Sequence, residues 1–165
     1  MRSFLLAFLF LLCTACSHSN MTVNVTGSYP VFHDPLKFVE WIYTLPNPRF
    51  VIFEDGRIRP KYYTERMVKL TTGRERCYKE EFHMDWLDFN YIVPGNDYNI
   101  TNLHIEKLWQ EDNMAKILVM FDNLGETQRL EYLLRREDKD KGWMIDDIFT
   151  ENASLSQDLS LWCAQ

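Results

Sequence analysis

Beyond its first twenty residues the sequence contains no long apolar run. That excludes a polytopic membrane protein, because each helical span needs about 20 apolar residues. Basic residues are scarce relative to acidic ones, 18 Lys and Arg against 24 Asp and Glu, for a net charge of −6. A nucleic-acid partner is therefore not expected, since such affinity rests on cations that neutralise phosphates. Six Gly and six Pro in 165 residues are too few for a collagen-like or low-complexity chain. Reaction signatures are missing as well: there is no Gly-x-Ser-x-Gly, no glycine-rich phosphate cradle, and no His-x-His or His-x-x-x-His. What is abundant is aromatic side chain, 15% of the chain within a 46% hydrophobic total. Apolar content of that order offsets the entropy of ordering, so the chain folds, and its length suits one domain.

The N-terminus is the exception to the missing apolar run. Met1-Arg2-Ser3 carries one positive charge, Phe4 to Leu12 is unbroken and apolar, and Cys13-Thr14-Ala15-Cys16 follows. A basic start, a short apolar core and small residues at its end form an export signal rather than a span or a buried helix. Thr14-Ala15-Cys16 resembles the end of a bacterial lipoprotein signal, in which Cys16 becomes the lipidated first residue. Cys13 stands where that pattern has Leu, and a cut near Ser17 or Ser19 is the alternative. The chain then divides into a signal (1–16), a polar tether (17–33) and one domain (34–165). The signal removes Arg2 and no acid, so the processed chain has 17 basic residues against 24 acidic, a net charge of −7. The expected location is the periplasmic side of a bacterial cell envelope, anchored to the membrane by the N-terminal lipid.

Lipidation of Cys16 leaves Cys77 and Cys163 as an even pair. In an oxidising compartment they can form a disulfide across 85 intervening residues, worth roughly 4–5 kcal/mol by loop entropy. Two unpaired buried thiols are the alternative. So wide a spacing is no zinc signature. Asn20, Asn24, Asn99 and Asn152 open glycosylation patterns that carry meaning only in a eukaryotic host.

The domain reads as helices followed by strands. Asp34 caps a helix with Pro35 at its first position, and Phe38, Trp41, Ile42 and Leu45 recur at helical steps until Pro46 and Pro48 stop it. Phe50 to Phe53 has room for a short strand. A second helix is predicted over Tyr62 to Leu70, ended by Thr72-Gly73, and a third over Glu75 to Trp86. From Leu103 the period changes to two: strands over Leu103 to Trp109, Met114 to Phe121, Thr127 to Arg136 and Trp143 to Phe149, joined by short polar turns. Ser154 to Trp162 closes as a short helix. The pattern predicts an α+β domain in which N-terminal helices pack on a curved, antiparallel four-stranded meander.

Gly142-Trp143-Met144-Ile145-Asp146-Asp147-Ile148 closes the last strand, and Asp85-Trp86-Leu87-Asp88-Phe89, then Ile92 and Asn96-Asp97, precede the first. With the opening Asp34-Pro35 helix, these segments resemble a domain family of unknown function found in bacterial envelope proteins, often lipoproteins. That family is similar to the cone-shaped fold of nuclear transport factor two and ketosteroid isomerase. Over roughly Asp34 to Leu161 the resemblance implies a cone-like, helices-then-sheet fold. It brings no catalytic residue with it.

Candidate chemistry is thin. Alternation places Asp146 and Asp147 on opposite faces of the last strand, with Trp143, Ile145 and Asp147 on one side and Met144, Asp146 and Ile148 on the other. One acid would then point into the cone, where burial raises a carboxyl pKa as isomerase-like proton transfer requires. The alternative is an acid that only accepts structural hydrogen bonds. His83 with Asp85, and His104 with Glu106, are too few for a metal site, and no cofactor is expected. Asp85, Asp88, Asn90, Asn96 and Asp97 are oxygen-rich but lack calcium-loop spacing. Arg74 and Arg76 flank Cys77 closely enough to lower its pKa, but no histidine is near in sequence. Glu111, Asp112, Glu137, Asp138 and Asp140 gather at turns of the meander. They form either a solvated rim or the face of an inhibitor that uses charge to speed encounter with a basic secreted toxin. The leading expectation is an exported non-catalytic binding protein, an inhibitor or immunity protein against a secreted effector. The competing ones are a small-molecule-binding or isomerase-like enzyme using Asp146 or Asp147, and an accessory subunit of an envelope machine.

Overall fold

The structure is a computed structural model that describes residues 30–48, 59–81, 90–94 and 97–161, without the side chains of 59–60, 74–81 and 161. The signal with Cys16, the Phe50 to Phe53 segment, the stretch from His83 to Phe89, and Cys163 lie outside the described residues. Cys77 enters only as backbone within a helix, so the Cys77–Cys163 pairing also lies outside them.

Asp34 opens the fold as the sequence predicts. Its carboxylate accepts the N–H of Leu36 at 2.8 Å and of Lys37 at 3.4 Å, which satisfies donors that a helix start leaves unpaired. Helix α1 (Pro35–Thr44) then buries Phe38, Val39 and Ile42. A short helix α2 (Arg59–Tyr62) leads through Tyr63 and Thr64 into helix α3 (Glu65–Glu81). Thr72-Gly73 does not end that helix; the two helices expected there are one. The Thr71 and Thr72 hydroxyls turn back to the Val68 carbonyl at 2.9 and 2.7 Å. The residues beyond Gly73 are mostly strong helix formers, which outweighs a glycine cost of about 1 kcal/mol.

Four antiparallel strands follow in the order β1-β2-β3-β4: β1 (Ile100–Glu111), β2 (Met114–Asn123), β3 (Glu126–Arg135) and β4 (Met144–Phe149). This is the predicted α+β meander. The sheet is open, with β1 and β4 as its edges. Leu124 and Gly125, with φ of 53° and 90°, make the two-residue turn between β2 and β3, a geometry that matches strand twist. The core face carries Ala115, Ile117, Val119 and Phe121 from β2 and Leu130, Tyr132 and Leu134 from β3, all buried. Helix α1 packs on this face, and helix α4 (Leu155–Leu161) adds Leu155 and Leu159 to the same core.

The β4 edge is closed by chain from elsewhere. Tyr63 bridges to Ile145, and the Thr64 N–H donates to the Ile145 carbonyl at 3.0 Å. Further along, the Trp143 N–H donates to the Phe32 carbonyl at 2.9 Å and its indole N–H to the His33 carbonyl at 3.1 Å. The last residues of the segment read as tether are thus held against the domain, and Phe32 stacks on Phe38 with ring centroids 5.3 Å apart. Gly142 makes this approach possible. Its φ is +77°, and a Cβ there would lie 2.6 Å from the Phe32 carbonyl oxygen.

Gly142→Ala is therefore expected to lower stability by about 2–4 kcal/mol, combining left-handed strain with displacement of the Phe32 contact. Gly73→Ala, whose Cβ would meet nothing within 4 Å, is expected to raise stability by about 0.5–1 kcal/mol. Urea midpoints measure both, and equal shifts would refute the close-approach argument.

Candidate functional site

The two adjacent acids of β4 are the first candidates, and a bulge decides their fate. Leu134 stands opposite Ile145 and Leu133 opposite Asp147, leaving Asp146 as an extra residue; Tyr132 stands opposite Ile148. Opposed residues of an antiparallel pair share a face, so Ile145 and Ile148 both point into the core. Strict alternation, the basis of the sequence expectation, fails here because the extra residue resets it. Asp147 lies on the other face, opposite Leu133, and the Asp146 carboxylate meets Arg135 on that same side. Neither acid enters the aromatic core.

Both carboxylates are occupied by structural partners. Asp146 is buried, accepts from the Thr64 hydroxyl at 2.8 Å and from Arg66 Nε at 3.4 Å, and meets Arg135 at 3.4 Å on its other oxygen. Arg66 also donates to the Asp146 carbonyl. Thr64 in turn accepts the Met67 N–H at 3.4 Å, capping α3. Asp147 accepts the N–H of Ile148 and of Ser156, both at 2.9 Å, and the Ser156 hydroxyl at 2.5 Å. It therefore pins the first turn of α4 to β4.

The interior that an isomerase would need holds aromatic side chains. Tyr43 and Tyr132 pair their hydroxyls at 3.0 Å, and Tyr43 also donates to the Ile92 carbonyl at 3.0 Å. Burial pushes both phenols above their ordinary pKa, so they remain neutral.

The turn acids gather at one end of the sheet, which holds both the β1–β2 turn with Glu111 and Asp112 and the β3–β4 loop with Glu137, Asp138 and Asp140. Arg136 ties the two together. Its N–H donates to the Asn113 carbonyl at 2.8 Å, its guanidinium donates to the Asp112 carbonyl at 2.8 Å, and it stacks 5.2 Å over Trp143. This end also carries Arg135, Arg136, Lys139 and Lys141. Its charge is mixed rather than uniformly acidic.

Beside that loop lies an open cleft of about 610 Å³. Val31, Tyr63, Val68 and Met144 give it an apolar floor. Lys61, Glu65, Glu137, Asp140 and Lys141 line its rim. Of the five turn acids predicted to bind, Glu137 and Asp140 reach this cleft. Asp138 closes its own loop by accepting the Asp140 N–H at 3.0 Å, and Glu111 and Asp112 are not among the lining residues. Glu137 also accepts the Glu65 N–H at 3.1 Å, an anion at the start of α3. The hydrogen bond and charge of Lys69, 2.7 Å away, hold the Glu65 carboxyl below its usual range. The floor residues were not legible because they come from segments far apart in the chain. Tyr63 and Met144 become neighbours only through the bridge that seals β4.

His104 and Glu106 lie exposed on β1, 3.3 Å apart. Among the described residues no group of three or more His, Cys, Asp or Glu is placed to hold a metal ion, and no described helix is long and apolar enough to cross a membrane.

Removing a carboxylate should therefore be felt as lost stability. Asp146→Ala is expected to cost about 1–3 kcal/mol, chiefly by leaving the buried Thr64 hydroxyl without its acceptor, while the half-exposed Arg66 and Arg135 turn to solvent or backbone. Asp147→Ala should cost about 1–3 kcal/mol and loosen α4, with Asp147→Asn milder because its carbonyl oxygen still accepts. Denaturant unfolding together with amide exchange in α4 measures both effects. A variant of full stability would contradict the structural role.

Comparison of the chain with protein-family models, with curated proteins and with solved structures gives no match.

Proposed function

We propose that this protein is an exported, non-catalytic binding protein of a bacterial envelope, held to the membrane by lipid at Cys16, that inhibits a secreted toxic effector. The observation that carries this reading is the fate of the two acids. Asp146 and Asp147, the groups best suited to proton transfer, are engaged by arginine, threonine, serine and backbone donors. An apolar-floored cleft framed by charged loop residues is instead open to solvent. Such a combination suits recognition, in which apolar contact supplies affinity and the charged rim supplies orientation. The net charge of −7 after signal removal favours encounter with a basic partner at long range. At contact, the mixed rim calls for a partner that also presents both signs.

The test begins with genetics. Deleting this gene should sensitise cells to the secreted effector encoded beside it, and the wild-type gene should restore protection. A variant carrying Val31→Asp and Asp140→Lys, which changes the cleft without touching either buried acid, should fail to restore it while keeping normal levels of folded protein. Unchanged survival after deletion, or full protection by the double variant, would overturn the reading.

A further inference from the structure

The two edges of the sheet are treated differently. The β4 edge is covered by Tyr63, Thr64 and Phe32, whereas β1 runs along the outside with every residue but Ile100 and Ile105 exposed. Among the described residues no segment other than β2 pairs with it. A long strand edge of this kind is a template for another strand, and proteins normally blunt it with proline, charged side chains, bulges or a cover; β1 has charges and two register shifts but neither proline nor a cover among the described residues. Leu103, Leu108 and Trp109 are exposed along it.

We infer that the β1 edge is the seam of a symmetric dimer, in which β1 pairs antiparallel with β1 of a second copy around a two-fold axis at Ile105. The register follows from which faces the side chains occupy. Ile105 stands opposite Val119 and so faces the core side; His104 and Glu106 stand opposite Met120 and Leu118, on the other side. A two-fold perpendicular to the sheet keeps faces matched only if it passes through a residue rather than between two. An axis at Glu106 or Lys107 would set like charges directly opposite each other. An axis at Ile105 instead sets that residue against its copy and His104 against Glu106 of the second copy, twice over.

His104 and Glu106 already lie 3.3 Å apart within one chain, so the axis would be ringed by two histidines and two glutamates in alternation. Register shifts between Thr101 and His104 and between Lys107 and Trp109 bend the strand on either side. They confine pairing to the regular stretch between them. The sealed β4 edge prevents the enlarged sheet from growing further, so the contact closes as a dimer instead of propagating. A seam this short falls below the size of stable interfaces, so the dimer is weak and concentration-dependent.

Sedimentation velocity of the purified protein over a concentration series tests the seam. The expected result is a reversible shift toward twice the monomer mass. Glu106→Lys should weaken association by about tenfold, and adding His104→Glu to that variant should restore it. Glu106 is exposed, so the unfolding midpoint of each variant should match the wild type, which separates lost pairing from lost folding. A monomer at every concentration, association unaffected by Glu106→Lys, failure of the charge swap to rescue, or open-ended oligomers would each overturn the inference.

Discussion

The extra residue in β4 is the constraint on which the rest of the structure depends. An unbroken alternation would have turned one of Asp146 and Asp147 into the core, where an ionised carboxylate must find partners or become protonated. The bulge at Asp146 avoids that cost. It lets Ile145 and Ile148 both fill the core face and puts both acids where donors are available. Each acid then fastens a different helix: Asp146 reaches Thr64 and Arg66 at the start of α3, and Asp147 reaches Ser156 at the start of α4. At α4 an orphan backbone donor, the Ser156 N–H, and an anion of the sheet satisfy one another.

The same contacts build the cleft. Once Thr64 is tied to Ile145 and Asp146, Tyr63 lies along β4 beside Met144, and Glu65 begins α3 within reach of Glu137. The floor and the rim are by-products of how the edge is sealed. Gly142 belongs to this arrangement too, because only a residue without a Cβ lets Phe32 come close enough to bond Trp143. A ligand in the cleft would touch Val31, next to Phe32, as well as the start of α3.

How much of this was legible in the sequence follows from the range of each interaction. The Asp34–Pro35 start of α1 and the glycine of the β2–β3 turn depend on neighbours within a few residues, and their residue types state the geometry; Leu124, also at positive φ, does not. The period-two alternation of β2 and β3 is likewise local, and both strands lie within two residues of their expected ends. The bulge was not legible, because its cause lies in Thr64 and Arg66, some eighty residues earlier. Pattern reading placed the right acids in the right strand but on opposite faces, whereas the bulge brings both to the same one. Gly73 misled for a related reason: glycine lowers helix propensity, but a helix capped at one end and flanked by strong formers carries through it.

Charge shows the same distinction between composition and arrangement. The acidity of the whole chain acts on an approaching partner over a Debye length of about 8–10 Å, beyond which salt screens it. At the loop end, however, Arg135 is bound to Asp146, Arg136 is stacked on Trp143, and Lys61 and Lys141 share the cleft lining with Glu65, Glu137 and Asp140. A uniformly basic surface would meet as much repulsion there as attraction. Long-range steering and short-range fit therefore select on different features of a partner: its net charge sets how fast it arrives, and the order of signs on its surface sets whether it stays. The asymmetry of the sheet adds a spatial separation, because the cleft lies against the sealed β4 side while the open β1 edge lies across the sheet. A contact made along β1 would leave the cleft accessible, so the two surfaces can be engaged together.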